Sequence, residues 1–390
     1  MIDKIIKNNL CLGCGLCSTL LGIDKCEMAL NKKGFYEPIV KQNLSRTERR
    51  TISRTCPSIY LHAPKETSIW GRILSAYESW SSDKQIRFKA SSGGTVTSLA
   101  IYLIQTKKVD AILHVGTVEG SYLYNKLQIS RTTQEIIDRA KSRYAPALIF
   151  DNLLNILDFS NEVFAFIGKP CDIVGIKNFL NLYPKYKDRI KYFISIFCAG
   201  IPSYNSTIDL CKLSGNSEEP INIKYRGDGW PGEFKATFSN KTEFKLSYQE
   251  SWGKYLGRNV CYRCKVCPDG IGLLADLSVG DSWNTKNGYP DFSENDGKCF
   301  TLIRTSNGEE LLKGAFEANY LNVKPIKLDS IKDVQPYQYD RRKIVGWKLL
   351  PIYIKSGFLF NFKGLSLTKM SLSVNPKIGF MIMLGSIKRL

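Results

Sequence analysis

With 390 residues and 43% apolar content, the chain can bury one large core or two modest ones plus a small satellite. Its twelve cysteines fall into tight triplets and singletons, unlike the spread of a secreted disulfide framework, so ligation in a reducing cytosol is the expected use. A net charge of +19 favours acidic or anionic partners, while Met1 to Leu10 lacks a signal-like apolar run and no segment of about eighteen apolar residues argues for a spanning helix.

In chain order, residues 1 to about 65 are Cys-rich and short of long periodic segments, as expected where a cluster organises the fold. Cys11, Cys14 and Cys17 form C-x2-C-x2-C, a spacing that lets three thiolates of one loop reach three irons of a cubane. A two-cluster ferredoxin would place its fourth cysteine and a proline at once, but Leu21 stands there. Cys56, followed by Pro57, is the first candidate for the fourth ligand, and Cys26 competes with it.

From about 70 to 340 apolar strand-like runs alternate with helical patterns, which predicts an α/β domain, with α+β the alternative. Ser91-Ser92-Gly93-Gly94-Thr95 precedes a helix predicted over Thr95 to Gln105, and such a start can cradle a pyrophosphate or simply cap the helix. Strands are predicted at Ala111 to Val115, Val163 to Ile167 and Tyr192 to Phe197, with a helix from Asp172 to Leu182. The second strand runs into Gly168-Lys169-Pro170-Cys171 and the third into Cys198, positions where α/β sheets bind ligands.

Further on, the Gly-rich segment Tyr225 to Gly232 offers Arg226 for a phosphate and Trp230 for a planar ring, and Ala275 to Trp283 has the same character after a strand. Cys261, Cys264 and Cys267 repeat the triplet spacing, with Cys198 expected to complete the set and Cys171 in reserve. Zinc also accepts four thiolates, but its modules usually show two separated pairs, whereas here a triple with one remote thiolate occurs twice. Cys211 and Cys299 read as small buried hydrophobes. Lys254, Arg258, Arg263 and Lys265 surround the second triplet and either tune a cluster or are solvated. Of the two histidines, His114 lies in an apolar run and reads as core.

The tail is distinctive in charge: from Arg341 to Leu390 ten basic residues stand without one acid. Apolar Ile378 to Leu384, flanked by Lys377, Lys388 and Arg389, could rest on an anionic membrane or form a packed C-terminal helix.

Taken together, CLGCGLC, SSGGT, KSRYAPA (141–147), FIGKPCD (166–172), FCAGIPS (197–203), YRGDGW and CYRCKVCPDGIGLLADLSVGDSW (261–283) resemble, in order, the beta-subunit family of coenzyme F420 hydrogenases and dehydrogenases. The resemblance runs over roughly residues 5 to 285 and fades beyond about 345. It implies a ferredoxin-like 4Fe-4S module at 1–65 and a flavin-binding domain with a second 4Fe-4S site at 66–345, and residues 346–390 are read from their charge as a basic extension. It also implies FAD, held by Ser92, Gly93, Gly94, Thr95, Ser142, Tyr144, Lys169 and Arg226; a Lys, Tyr or Asp near the flavin could then donate a proton, with Lys169, Tyr144 and Asp281 the candidates.

The expected function is that of an iron-sulfur flavoprotein, cytoplasmic or peripheral to a membrane, that moves electrons between two clusters and FAD and exchanges hydride with a deazaflavin or a surface-glycan substrate. The partners expected are a ferredoxin or reductase and a small-molecule or glycan-related acceptor, with no nucleic acid. The alternatives are an electron-transfer subunit without a substrate site and a zinc-stabilised binding protein.

Overall fold

The computed structural model describes residues 1–65, 68–286 and 289–388. Its centre is a mixed eight-stranded sheet whose strands, in chain order, are β1 (Ser75–Ser81), β2 (Ala111–Thr117), β3 (Asn125–Ser130), β4 (Phe164–Gly168), β5 (Ile190–Ile196), β6 (Leu277–Asp281), β7 (Cys299–Ile303) and β8 (Leu321–Pro325). Spatially they run β8-β1-β7-β6-β5-β4-β2-β3. The four strands β6-β5-β4-β2 are mutually parallel, and antiparallel strands flank them on both sides. The fold is therefore mixed α/β, as expected, and the three predicted strands lie within the parallel core, shifted by one or two residues at their ends.

Alternation along those strands divides the core. Ala111, Leu113, Phe164, Phe166 and Phe193 pack on one face with Ile173, Ile176 and Phe179 of the helix Pro170–Leu182. Ile112, Ala165, Tyr192 and Ile194 pack on the other with Leu99 and Leu103 of the helix Thr95–Gln105 and Leu311 and Leu312 of the helix Ser306–Glu317. Side chains on a strand point alternately up and down, so a run apolar at every position is what a sheet covered on both faces demands. Each fully buried Phe contributes about 1.5–3 kcal/mol by leaving water.

Two smaller units dock on this frame. Strands Asn222–Lys224, Glu233–Thr237 and Glu243–Ser247 form an antiparallel sheet over Tyr225, Phe234, Phe238 and Leu256. The N-terminal residues are more regular than expected: a hairpin of Cys26–Leu30 and Tyr36–Val40 is followed by the helix Arg46–Thr55, which Ser45 and Glu48 cap reciprocally. Strand Tyr60–His62 then pairs in parallel with Asn361–Lys363, tying the N-terminal segment to the tail. The expected boundary at 345 falls inside one 21-residue helix, Pro336–Ser356. No helix among the described residues is long and apolar enough to cross a membrane.

Candidate functional site

A cavity of about 360 Å³ opens at the carboxyl ends of β4, β5 and β6, a size usual for small-molecule sites. Gly168 and Lys169 reach it from β4, Phe197 and Cys198 from β5, and Gly280 and Asp281 from β6. The Thr95–Gln105 helix starts at the same place. Its cap, Gly94, has φ +76° and offers no side-chain bond, so the first helical turn faces the cavity without a side-chain cap.

Of the residues expected to hold a flavin, Ser92, Gly94, Thr95, Ser142, Tyr144, Lys169 and Arg226 line the cavity. Gly93 does not. A Cβ there would lie 2.8 Å from Lys298 Cα and 2.9 Å from Ser79 O, so this glycine lets the loop press against β1 and the start of β7. Thr95 is wholly buried and its hydroxyl pairs with Ser79 at 2.9 Å.

Lys169, Tyr144 and Asp281 all line the cavity, each already engaged. Arg226 donates through Nη1 to Asp281 Oδ2 (2.9 Å) and to the Tyr144 hydroxyl (3.4 Å) and through Nη2 to Asp281 Oδ1 (3.2 Å), while Trp230 Nε1 donates to Asp281 Oδ1 (3.2 Å). Lys169 Nζ donates to Asp172 Oδ2 at 2.7 Å. Burial opposes the lysine's charge, but Asp172 and the nearby Cys171 outweigh it and hold the ammonium above its ordinary range. His114 also lines the cavity, and burial followed by the Arg139 charge lowers it to about 4, so it is neutral near pH 7.

Of the aromatic wall, Trp283 belongs to a motif and is backed by Trp230, which does not itself line the cavity, whereas Tyr248 and Trp252 lie outside the motifs. Trp230 stacks on Trp283 (4.6 Å, 8° between planes), Tyr248 stacks on the same ring, and Trp252 lies against Tyr144. Arg226 sits 4.7 Å from the Tyr248 ring centre and 5.2 Å from that of Trp283. Two cavity-lining groups leave a buried polar atom without a partner: Arg143 Nε and Gln338 Oε1.

Around Cys198 the thiols gather. Cys261 N–H bonds Ile201 O (2.8 Å) and Cys198 N–H bonds Gly270 O (2.9 Å), which sews the 261–267 loop to the segment after β5. Burial first, and the nearby Cys264 second, push the Cys198 thiol up to about 12. Cys171 is raised well above its ordinary value by burial, with Asp172, Cys198 and Cys264 adding to the effect, so five thiols share this region. Cys211 is instead buried in the small sheet's core, while Cys299, on β7, is buried yet lines the cavity and donates to Ser92 Oγ (3.3 Å).

The first triplet lies next door: Cys261 Sγ donates to Cys11 O at 3.2 Å. Burial, then Cys56, raise Cys14 to about 12, and burial dominates in Cys11, with Cys14 and Cys56 among its neighbours. Cys17 instead bonds Cys26, whose thiol is lowered by that contact. Both candidates for the fourth position thus stand beside the triplet, Cys56 near Cys11 and Cys14, Cys26 near Cys17.

Three arginines are buried near these thiols, and one of them, Arg342, donates to Pro268 O (2.8 Å) beside Cys267. Arg341, 5% exposed, donates to Cys198 O (2.9 Å), Ala199 O (2.8 Å) and the Tyr337 hydroxyl (3.0 Å), and Gln338 Nε2 donates to Cys198 O as well (3.0 Å). Arg263, 1% exposed, bonds Ser58 O at 2.6 Å beside Cys56 and leaves Nη1 without a partner. Among the described residues no carboxylate pairs with Arg341 or Arg263. A buried cation without a counter-ion is costly unless an anion belongs beside it. Neutral thiols do not supply that charge, whereas metal-bound thiolates do. Lys254, by contrast, is an exposed partner of Glu250. No three His, Cys, Asp or Glu side chains among the described residues converge on a single-ion position; a cubane offers each thiolate its own iron, so its ligands spread around it.

Residues 76–154 match the family model described as coenzyme F420 hydrogenase/dehydrogenase, beta subunit N-term, and residues 161–329 match its counterpart for the C terminus of the same beta subunit. Among characterised relatives, the coenzyme F420-dependent sulfite reductase of Methanocaldococcus jannaschii is 24% identical over 88% of this chain, which spans only 51% of that longer protein. The coenzyme F420 hydrogenase subunit beta of Methanothermobacter thermautotrophicus is 24% identical over 63% of this chain and 83% of its own length. A solved chain from the F420-reducing NiFe hydrogenase complex of Methanosarcina barkeri superposes with a TM-score of 0.55 at 21% identity, covering 73% of this chain and 96% of that one, which supports the fold.

Proposed function

The chain belongs to the coenzyme F420 hydrogenase/dehydrogenase beta-subunit family, and on that premise we propose that it is an iron-sulfur flavoprotein oxidoreductase carrying two 4Fe-4S clusters and FAD. The carrying observation is the pair of buried arginines without carboxylates, each set against one group of thiols. Cys198, Cys261, Cys264 and Cys267 would hold one cluster and Cys11, Cys14, Cys17 and Cys56 the other. Cys56 is preferred to Cys26 because it faces Cys11 and Cys14 and has Arg263 beside it. The second of these sets lies in a small N-terminal unit that we read as ferredoxin-like.

The flavin belongs in the cavity. The Thr95–Gln105 helix start and Arg143, with its unpartnered Nε, suit an anionic phosphate group, while Tyr248, Trp252 and Trp283 offer faces to a planar ring. Clusters pass single electrons and a flavin accepts one or two, so the bound set can couple one-electron traffic to hydride exchange. Within this chain Asp281 holds Arg226 in place, since both its oxygens accept hydrogen bonds. Lys169, kept charged by Asp172, offsets negative charge near Cys171 and Cys198, and the hold on its proton makes it an electrostatic group before an acid. Having a cavity of its own favours an enzyme over a relay subunit. The acceptor is the deazaflavin of the relatives or a substrate of surface-glycan metabolism, and a ferredoxin or reductase serves as redox partner.

Anaerobic purification with iron, sulfide and flavin assays tests this reading. About eight irons, about eight sulfides and one FAD per chain are expected; a colourless preparation holding zinc and no flavin refutes it. Activity with an artificial donor then separates enzyme from relay, because a relay would not discriminate among acceptors.

A further inference from the structure

The last helix, Pro376–Ile387, is built inside out for a protein surface in water. Its small residues face the molecule: Gly379 and Ser386 are buried, and a Cβ at Gly379 would lie 2.3 Å from the Trp347 ring. Four of its large residues face away, with Phe380 52%, Met381 71%, Leu384 43% and Ile387 46% exposed, Ile378 is exposed beside them, and Ile382 and Met383 are half-buried. At 100° per residue these four fall on one stripe opposite Gly379 and Ser386. Lys377 and Lys388 lie along that stripe at its two ends, both exposed. Ile354, Leu359 and Leu372 elsewhere in the tail are exposed apolar residues too.

We propose that this face is a docking surface for an anionic lipid bilayer, on which the helix lies in the plane of the interface. Charge selects the partner: beyond the buried Arg341 and Arg342, the chain from Lys343 to Leu390 carries eight basic residues and no acid, with Arg389 outside the described residues. An apolar stripe with lysines at both ends matches an interfacial helix whose ammonium groups reach headgroups while the large side chains enter the acyl boundary. Twelve residues rise only about 18 Å, too short to span. Each lysine near such a surface strengthens binding roughly fivefold. The surface is independent of the redox reading, being formed by residues outside the thiol groups and the cavity.

The test is co-sedimentation of the full chain with vesicles of phosphatidylcholine alone or mixed with phosphatidylglycerol, at low and high salt. The wild-type protein is expected to pellet with the anionic vesicles at low salt and to be released at high salt. The solvent-facing triple variant Phe380→Ser/Met381→Ser/Leu384→Ser and the pair Lys377→Glu/Lys388→Glu should each lower the bound fraction about tenfold or more, with an unchanged circular-dichroism spectrum as the folding control. Equal recovery in the supernatant with both vesicles overturns the proposal, as does equal binding to neutral and anionic vesicles. A concentration-dependent dimer in sedimentation velocity, abolished by the triple variant in the absence of vesicle binding, would assign the face to a second copy and overturn it too.

Discussion

The two cysteine groups share a spacing and little else. The first is carried by a small unit of hairpin and helix, N-terminal to both matched family segments, with Cys56 brought back by the turn after the Arg46–Thr55 helix. The second is built into the end of the parallel sheet, with Cys198 following β5 and also lining the cavity, and the Pro336–Ser356 helix bonding its backbone through Gln338 and Arg341. A site rooted in a sheet end inherits the rigidity of the core and touches the ligand pocket. The first group leans on the core through Leu16 and Cys14 but does not line the ligand pocket, which suits an outer step that passes electrons inward.

The largest expected effect separates the two groups directly. Cys198→Ser should remove about half the iron and, because Cys198 is a wall of the cavity, also weaken flavin retention. Cys56→Ser should remove about half the iron and leave flavin content intact. Iron and FAD assays on the two purified variants check both outcomes; equal flavin loss in the two would erase the distinction. If Cys56→Ser keeps all its iron while Cys26→Ser loses it, the fourth ligand is Cys26.

Charge gives the next contrast. Arg341 and Arg263 are both buried, but Arg341 reaches only the second group and Arg263 bonds the loop beside Cys56. Removing a positive charge next to a negatively charged cluster lowers its reduction potential. Arg341→Gln should therefore shift one of two potentials to more negative values and leave iron content unchanged, with Arg341→Lys restoring most of the shift. Redox titration followed by electron paramagnetic resonance reads the two clusters separately.

Much of this contrast is legible in the chain and some of it could not be. The triplets, the Cys198 strand end and β2, β4 and β5 are readable because fixed spacings and runs of apolar residues are local signals. Strands β1 and β8 are not, since Ser75–Ser81 and Leu321–Pro325 carry polar residues at alternate positions and draw their identity from their neighbours in the sheet. Gln338 and Arg341 are invisible for a similar reason: they sit in a helix without a motif and gain meaning only when it docks against Cys198. Tyr248 and Trp252 likewise face the cavity through a short irregular helical turn that has no clear period. The glycine loop reads correctly as a special place but with its roles blended, because sequence does not tell a glycine that clears room for backbone from one that clears room for a ligand.

Gly93 sharpens that point. Gly93→Ala would force a methyl to within 2.8–2.9 Å of backbone atoms at Lys298, Cys299 and Ser79, none of which can swing aside. The cost should be about 1–3 kcal/mol of overpacking, seen as a lower Tm even in protein stripped of flavin, whereas a purely ligand-binding glycine would change stability only in the loaded form.

The smallest effect concerns protons. His114, on β2 at the cavity wall, pairs its Nε2 with the Ser130 hydroxyl at 2.8 Å, and burial, aided by Arg139, lowers it from 6.5 to about 4. The unfolded chain therefore binds a proton there that the folded chain refuses, so stability rises with pH between those two values. The contribution is complete above pH 6.5 and is lost as the pH falls toward about 4. Replacing the imidazole with a neutral amide, His114→Asn, should flatten the acid side of a plot of Tm against pH across that window and leave it unchanged above pH 7. Neither cysteine group takes part in this titration, so a variant that instead alters the acid limb and the iron content together would show that His114 supports the cluster region through the sheet rather than the cavity wall alone.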